Sequence, residues 1–405
     1  RNKFSALLDT LGIEQPEWAE LAGHAEAKRF AAKAGYPVLV RPSYVLSGAA
    51  MSVAWDDETL DRSLTAAADV SPEHPVVITK FIENAKEIEV DAVAKHGEIL
   101  YHAITEHIEN AGVHSGDATV VLPAQRLYIE TIRKIRKISA RIARALDITG
   151  PFNIQFLSRR GGVLVIECNL RASRSFPFCS KVSRVNMIEL AVRALLDEPV
   201  EKRVSSALDL EWVGVKAAQF SFARLHGADP VSGVEMASTG EVGCIGRTLN
   251  DALLKALLSV GYRIPGANGA PKRVLLSTGP LEGKLDFLDS ARCLADMGCE
   301  LYASGGTAKF LAGHGIPAVP LAWPLQRREP NIATYIRERR VSLIINIPKN
   351  NQAAELRNDY LIRRLAVDFD VPLFTNIKVA RQFIDALADY RAVGLEIEPW
   401  ETYKV

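Results

Sequence analysis

No stretch of this 405-residue sequence approaches the roughly 20 apolar residues of a membrane-spanning helix. Neither sign of charge dominates, since 49 Lys and Arg stand against 48 Asp and Glu. There is thus no helical membrane anchor, no global basic field for nucleic acid and no polybasic tail for a membrane surface. Cysteine is scarce. Cys168, Cys179, Cys244, Cys293 and Cys299 form an odd, scattered set without a C-x-x-C pair. That argues against a zinc ribbon or a disulfide framework and fits a reducing compartment, the cytoplasm or the mitochondrial matrix. No G-x-x-x-x-G-K-[ST] occurs, so a phosphate site here is not a P-loop. Repeats of fixed period and low-complexity tracts are missing too. What remains, 48% hydrophobic and 24% charged residues, describes a soluble globular protein long enough for two or three domains. The chain opens on Arg1 rather than Met, shows no signal peptide and runs straight into a helix-like Phe4–Leu11. It reads as a piece of something longer.

The most informative stretch is Val163 to Arg174. Val163–Ile166 reads as a buried strand, and Glu167, Asn169 and Arg171 then occupy every second position, which puts them on one face. A carboxylate and an amide oxygen suit Mg²⁺, and an arginine forks onto phosphate oxygens. Gln155, on the partner strand of an expected hairpin (Asn153–Leu157 and Gly162–Asn169, joined by Ser158–Gly161), would complete an oxygen-rich metal shell. Arg174 is spaced to join Arg171 on a phosphate.

Around this core the pattern alternates. Residues 24–35 read as a helix, Tyr36–Arg41 as a strand, and Pro42–Ala50 as a loop of small residues that could lie over phosphates below Arg41. Val76–Phe81 (with Lys80), Glu87–Ala94 and Ile99–His107 read as strands, and Tyr128–Leu146 and Met187–Leu196 as helices. Glu87, Glu89 and Asp91 alternate on one strand face; one could hydrogen-bond a ribose, and a solvated face explains Glu89 and Asp91 equally well. Glu109–Asp117 is a polar turn whose His114 is either a donor near a nucleotide or a structural histidine. Residues 200–265 are less regular, and residues 265–271 make a linker. Beyond it, Val274–Ser277, Glu300–Ala303, Leu343–Asn346 and Leu373–Thr375 are short apolar strands between helices, including Leu285–Met297, the pattern of a doubly wound parallel sheet. Ser304-Gly305-Gly306-Thr307 is either an anion site at a helix N-terminus or an ordinary N-cap.

With these residues collected, the chain resembles the C-terminal half of the carbamoyl phosphate synthetase large subunit. The matching segments are Arg41–Gly48, Glu109–Asp117, Gly150–Gln155, Ile166–Pro177 and Ser238–Val242. The resemblance implies an α/β protein: an ATP-grasp domain over 1–200, a connecting segment over 201–271, and a methylglyoxal-synthase-like regulatory domain over 272–405. It implies phosphorylation of carbamate by ATP to carbamoyl phosphate, with Mg²⁺ or Mn²⁺ on Gln155, Glu167 and Asn169, and K⁺ as a further ion. Arg1, Arg41, Arg171 and Arg174 would contact phosphates or carbamate, with Asn169, Arg171 and Arg174 as the catalytic set. Lys80, Glu87 and Gly112, Val113, His114 and Ser115 would line the nucleotide pocket. Implied partners are the N-terminal half of the synthetase and a glutaminase subunit or domain, in an oligomer. In the regulatory domain, Lys284, Ser304, Thr307, Trp323 and Asn346 would hold an effector, N-acetylglutamate or a uridine nucleotide. Lys349 and Asp359 stand where the N-acetylglutamate branch has asparagines, and Ala217 where the bacterial, ornithine-activated branch has an acid. The competing readings are another ATP-grasp ligase and a non-catalytic regulatory or assembly fragment.

Overall fold

The computed structural model describes residues 2–21, 23–42, 48, 50–70, 76–202, 206–222, 227–348 and 353–403. Contacts divide the chain into two compact units: Arg1–Lys216 with Ser232–Ala237 and Trp400–Val405, and Ala217–Val231 with Ser238–Pro399.

The first unit carries two antiparallel sheets. In the smaller, β1 (Trp18–Leu21), β2 (Val38–Arg41), β3 (Ser52–Ala54) and β4 (Val76–Lys80) lie in the order β1-β4-β2-β3. Val38 and Val40 turn one face of β2 to a core built with Ala27 and Ala31 of α2 (His24–Ala34) and with Leu60, Leu64 and Ala67 of α3 (Asp57–Val70). The period of two then leaves Leu39 and Arg41 for the other face.

The larger sheet runs β10-β7-β6-β5-β8-β9 in this unit. Its strands are β5 (Lys86–Lys95), β6 (Glu98–Asn110), β7 (Val120–Leu122), β8 (Gly150–Arg159), β9 (Gly162–Asn169) and β10 (Val213–Gln219). Ile88, Val90 and Ala92 of β5 and Phe152, Ile154 and Phe156 of β8 share a core with Ile132, Ile135 and Ile142 of α4 (Ile129–Ala145). The same alternation assigns Glu87, Glu89, Asp91, Asn153, Gln155 and Leu157 to the opposite face. β8 and β9 form the expected hairpin, but its turn is Arg160-Gly161 alone, because Arg159 already pairs with Gly162. Both turn residues have positive φ, 51° and 79°, the two-residue geometry that follows the twist of the strands. β9 leads through residues 170–175 into α5 (Phe176–Ser183) and α6 (Met187–Leu195).

The second unit is built on a parallel sheet in the order β14-β13-β12-β15-β16, the doubly wound arrangement expected from the sequence. Its strands are β12 (Arg273–Ser277), β13 (Glu300–Ser304), β14 (Val319–Leu321), β15 (Leu343–Asn346) and β16 (Leu373–Phe374). The helix expected over Leu285–Met297 is broken into Leu281–Asp286 and Leu288–Asp296 at Phe287, which is buried where one helix ends and the next begins. Residues 238–262, irregular by sequence pattern, contain β11 (Gly240–Gly246) and α7 (Leu249–Ser259). They are fastened to this unit. Tyr262 packs 4.6 Å from Phe374 and donates to the carbonyl of Leu373 at 2.8 Å. Asn250 accepts from Gln382 and donates to Asp389, both on α13 (Ile377–Val393). Among the described residues no helix is long and apolar enough to cross a membrane.

The Tyr262 seat generates a test of the unit boundary. Tyr262→Ala should destabilise the second unit by about 3 kcal/mol, the scale for deleting a packed aromatic side chain. A fragment starting at residue 272 should unfold at lower urea than one starting at 217. Equal midpoints for the two fragments would show that residues 217–271 add nothing to that fold.

Candidate functional site

A cavity of about 490 Å³ opens between the two sheets of the first unit. Leu39 and Arg41 of β2 and Thr79 and Lys80 of β4 face it from the smaller sheet; Glu87, Glu89, Asn153, Gln155, Glu167 and Asn169 face it from the larger. The turn Gly112–Gly116 and the loop bearing Arg171, Ser173 and Arg174 close its rim.

Simple alternation along β9 would put Val163, Val165, Glu167 and Asn169 on one face. The structure separates them. Phe156 pairs with Val165 but Gln155 pairs with Glu167, so Ile166 is an extra residue, a β-bulge. Val163 and Val165 thereby stay in the core, while Glu167 and Asn169 turn to the cavity opposite Gln155 and Asn153. The bulge is held from the smaller sheet. Arg41, itself nearly buried, donates from Nη1 and Nη2 to the carbonyl of Ile166, each at 3.3 Å, and pairs with Glu167 at 3.2 Å. The guanidinium expected to meet phosphates is here engaged in setting the carboxylate.

The other expected nucleotide contacts are brought to the same cavity. Gln155 donates its amide to the Ser115 hydroxyl at 3.1 Å, and the Ser115 carbonyl accepts from the fully buried Lys216 at 2.8 Å. His114 accepts the Gly116 N–H on Nδ1 at 3.0 Å. Burial lowers its pKa, outweighing the pull of Asp117, Glu167 and Glu89, so the ring is neutral with its proton on Nε2. Gly48 must be glycine, because a Cβ there would lie 2.7 Å from the carbonyl of Val234. Lys80 lines the cavity but donates to the carbonyls of Gly35 and Tyr36 at 2.8 and 2.9 Å. Arg171 is exposed, and Arg174 reaches the Met236 sulfur at 3.2 Å. Arg1, residues 43–47, Ala49 and Lys349 lie outside the described residues.

The acids of β5 do not make a solvated face. Glu87, Glu89 and Asp91 are 5%, 1% and 0% exposed; the first two line the cavity and Asp91 lies behind it against Asn153, Ser173 and Cys179. His107 of β6 stands between the first two, 2.7 Å from Glu89 and 4.0 Å from Glu87. Burial works against charge on this pair, yet it is outweighed: Glu87 and Glu89 raise the His107 pKa, and the bond and charge of His107 with the charge of Lys216 lower that of Glu89. Burial, with the neighbouring Glu89 charge adding to it, pushes Glu87 and Asp91 each up to about 7. Sequence pattern missed His107, Asn153, Ser173 and Lys216. For Lys216 a signal existed, a lone lysine inside the apolar run Val213–Ala217.

In the second unit, Ser304 ends β13 and Thr307 lies in the first turn of α10 (Gly305–Gly313), their hydroxyls 3.3 Å apart. Asn346 ends β15, in register with Ser277 of the intervening β12. Lys284 is half-buried in the helix Leu281–Asp286, and Trp323 packs on the core under α11 (Ile332–Arg337) and α12 (Ala353–Asp368). Asn346 is spoken for at both ends. It donates to Asp359 and accepts from Arg363, each at 2.9 Å, and Arg363 forks onto Asp229 at 2.7 and 2.5 Å.

Two α+β layers closing on an oxygen- and arginine-lined cavity, followed by a doubly wound parallel sheet, define a nucleotide-site module with a second, α/β module. Comparison with known proteins gives the family. Residues 1–203 match the ATP binding domain of the carbamoyl-phosphate synthase L chain and residues 286–375 the MGS-like domain; the chain belongs to the carbamoyl-phosphate synthase large-chain family. It is 48% identical over 411 residues to the multifunctional protein pyrABCN of Emericella nidulans, covering 99% of this chain and 18% of that protein. The multifunctional protein CAD of Squalus acanthias is 46% identical over 422 residues, 100% of this chain and 19% of that one. The mitochondrial carbamoyl-phosphate synthase [ammonia] of Rattus norvegicus is 44% identical over 402 residues, 97% and 26%. The chain thus spans a quarter or less of most of these relatives, which carry the region inside larger polypeptides. Among solved structures, a biotin carboxylase–β,γ-ATP complex from Campylobacter jejuni overlays with a TM-score of 0.52 at 18% identity, covering 63% of this chain and 65% of that one. The fold of the first unit is ATP-grasp.

The buried acids give a pH dependence. The pKa of Asp91, like that of Glu87, lies above its ordinary value, so its ionisation opposes folding. Its contribution to stability is greatest below about pH 4, declines as the pH rises towards 7 and is level above. Asp91→Asn removes that ionisation. Thermal melts should therefore show the variant gaining on wild type between pH 5 and 8; a difference that is flat across this range would contradict the assignment.

Proposed function

We propose that the first unit carries out the phosphoryl transfer from ATP to carbamate, giving carbamoyl phosphate and ADP. The observation that carries this reading is the bulge at Ile166, which sets Glu167 and Asn169 on the cavity face beside Gln155. Among the described residues no group of three or more His, Cys, Asp or Glu is arranged for a metal. The donors present are one carboxylate and two amides, all hard oxygens. That set is insufficient as an all-protein cage and suits Mg²⁺ or Mn²⁺ arriving with a nucleotide, whose phosphates supply the remaining ligands. When bound, the ion would neutralise charge that builds on the transferred phosphoryl group.

The chain's own residues do the positioning. Arg41 fixes Glu167 through the bulge. Ser115, braced by Lys216, orients the Gln155 amide so that its nitrogen is engaged and its oxygen is the end left for a cation. Glu87, on the cavity floor, is placed to accept from a ribose hydroxyl when ionised. Arg171 and Arg174 supply guanidinium groups for the phosphoryl oxygens and for the carbamate. Carbamate oxygen attacks the terminal phosphorus, ADP leaves, and no covalent enzyme intermediate is needed. The whole synthesis draws carbamate from another part of a larger polypeptide or from a partner, which this reading assigns to an N-terminal half and a glutaminase or ammonia source. The second unit acts as an effector domain, with the C-terminal edge of its sheet at Ser304 and Thr307 as the anion site. The Asp359 carboxylate on Asn346 disfavours a second anionic group there.

The test is the partial reverse reaction, ATP formation from ADP and carbamoyl phosphate. Glu167→Gln should weaken Mg-nucleotide binding and lower turnover on the order of 10²-fold or more, the scale of losing one electrostatic stabiliser. Calorimetry with Mg-ADP alongside the rate assay reads both. Wild-type binding and turnover in the variant would remove Glu167 from the site.

A further inference from the structure

Asp91 is fully buried behind Glu87 and Glu89, which line the cavity, and among the described residues no cation is bonded to it. Its three partners are neutral donors: the Ser173 hydroxyl at 2.6 Å, the Asn153 amide at 3.2 Å and the Cys179 thiol at 3.6 Å. A carboxylate held this way is a poor choice for stability. Burying a charge without an opposite charge is costly, and an apolar or amide side chain of similar volume would fill the space without that cost. What the carboxylate achieves is a junction. Oδ1 takes the donor from Asn153 on β8 and the donor from Ser173 on the rim loop, and Oδ2 takes the thiol of α5.

The loop so fastened is the one that needs fastening. Residues 170–175 leave β9 after Asn169, and Leu170, Arg171 and Ala172 are exposed. Ser173 stands two residues from Arg171 and one from Arg174, and its 2.6 Å bond to Asp91 becomes charge-assisted when that carboxyl is ionised. Cys179 ties the helix that follows, so the later half of the arginine-bearing segment and the helix after it refer to one carboxylate on β5.

We propose that Asp91 is a positioning residue, which through Ser173 fixes the loop presenting Arg171 and Arg174 to the transferred phosphoryl group. It does not line the cavity and so acts through other residues. The assignment rests on the phosphoryl-transfer reading for its catalytic consequence, and on the hydrogen bonds alone for its structural one.

The experiment uses the 405-residue chain with Ser173→Ala, Ser173→Thr, Asp91→Asn and the double variant Asp91→Asn/Ser173→Ala. In the reverse reaction, S173A should lower kcat on the order of 10²-fold, the cost of misplacing reacting groups by about an ångström, with little change in KM for ADP. S173T keeps the hydroxyl and should restore most of kcat. The double variant should be no slower than the slower single variant, because both changes act on the same Ser173–Asp91 bond, S173A by removing its donor and D91N by removing the charge of its acceptor. D91N should lose turnover while its melting temperature above pH 7 holds or rises, a combination that a merely structural role does not give. S173A turning over like wild type, or a double variant slowed by the product of the two single effects, would overturn the proposal. Trypsin supplies a readout independent of chemistry. Cleavage after Arg171 should be faster in S173A and D91N than in wild type, and unchanged cleavage would also overturn it. If wild type makes no ATP while cleavage still accelerates, the positioning of the loop stands and the phosphoryl-transfer reading falls.

Discussion

The Arg41 guanidinium, seated on the carbonyl of Ile166 and the carboxylate of Glu167, is the interaction on which the site depends. A bulge leaves an extra backbone group outside the ladder, and a buried carbonyl without a donor is costly. Arg41 supplies that donor and, with the same fork, holds the side chain the bulge has redirected. Because Arg41 comes from the smaller sheet and Glu167 from the larger, one side chain both joins the two sheets across the cavity and holds its carboxylate. Without the extra residue, Glu167 and Asn169 would continue the face of Val163 and Val165 and enter an apolar core that cannot hold them.

Behind this junction lies a second constraint, the burial of charge. Glu87 and Glu89 line the floor of the cavity, and His107, Asp91 and Lys216 are buried in the same sheet behind them. Each is supported differently: Glu89 and His107 by each other, Lys216 by the carbonyls of the turn at Ser115 and Gly116, Asp91 by neutral donors only. Such a floor is a stability cost that a purely structural sheet would not carry. Its charges fix the turn at 112–116 and the arginine loop, the two irregular segments that a nucleotide would meet.

Much of this was legible in the chain. The parallel pattern after residue 272 depends on local periodicity, and the structure shows that sheet; Gln155, Glu167 and Asn169 face the cavity together, while Arg171 lies on the loop beyond the end of β9. The bulge was not legible, because one extra residue leaves both halves of the alternation looking continuous. The acids of β5 were ambiguous for a related reason: period two shows that Glu87, Glu89 and Asp91 share a face, not whether that face meets water or a second sheet. The helix break at Phe287 and the strand and helix over 240–259 follow from tertiary packing, of Phe287 into the core and of Tyr262 onto Phe374 and Phe383. The engagement of Asn346 by Asp359 and Arg363 joins residues 13 and 17 apart in sequence across a strand end and a helix, which no local pattern reports.

The central claim, that the Ile166 bulge aims Glu167 and Asn169 at a metal-nucleotide site, is tested most directly by diffraction from crystals grown with ADP and Mn²⁺, using the anomalous signal of manganese. A peak is expected at coordination distance from the Glu167 carboxylate, with Gln155 or Asn169 oxygen and nucleotide phosphate completing its shell. A manganese peak on the β5 acids, or a nucleotide bound with Glu167 still turned only to Arg41, would contradict it.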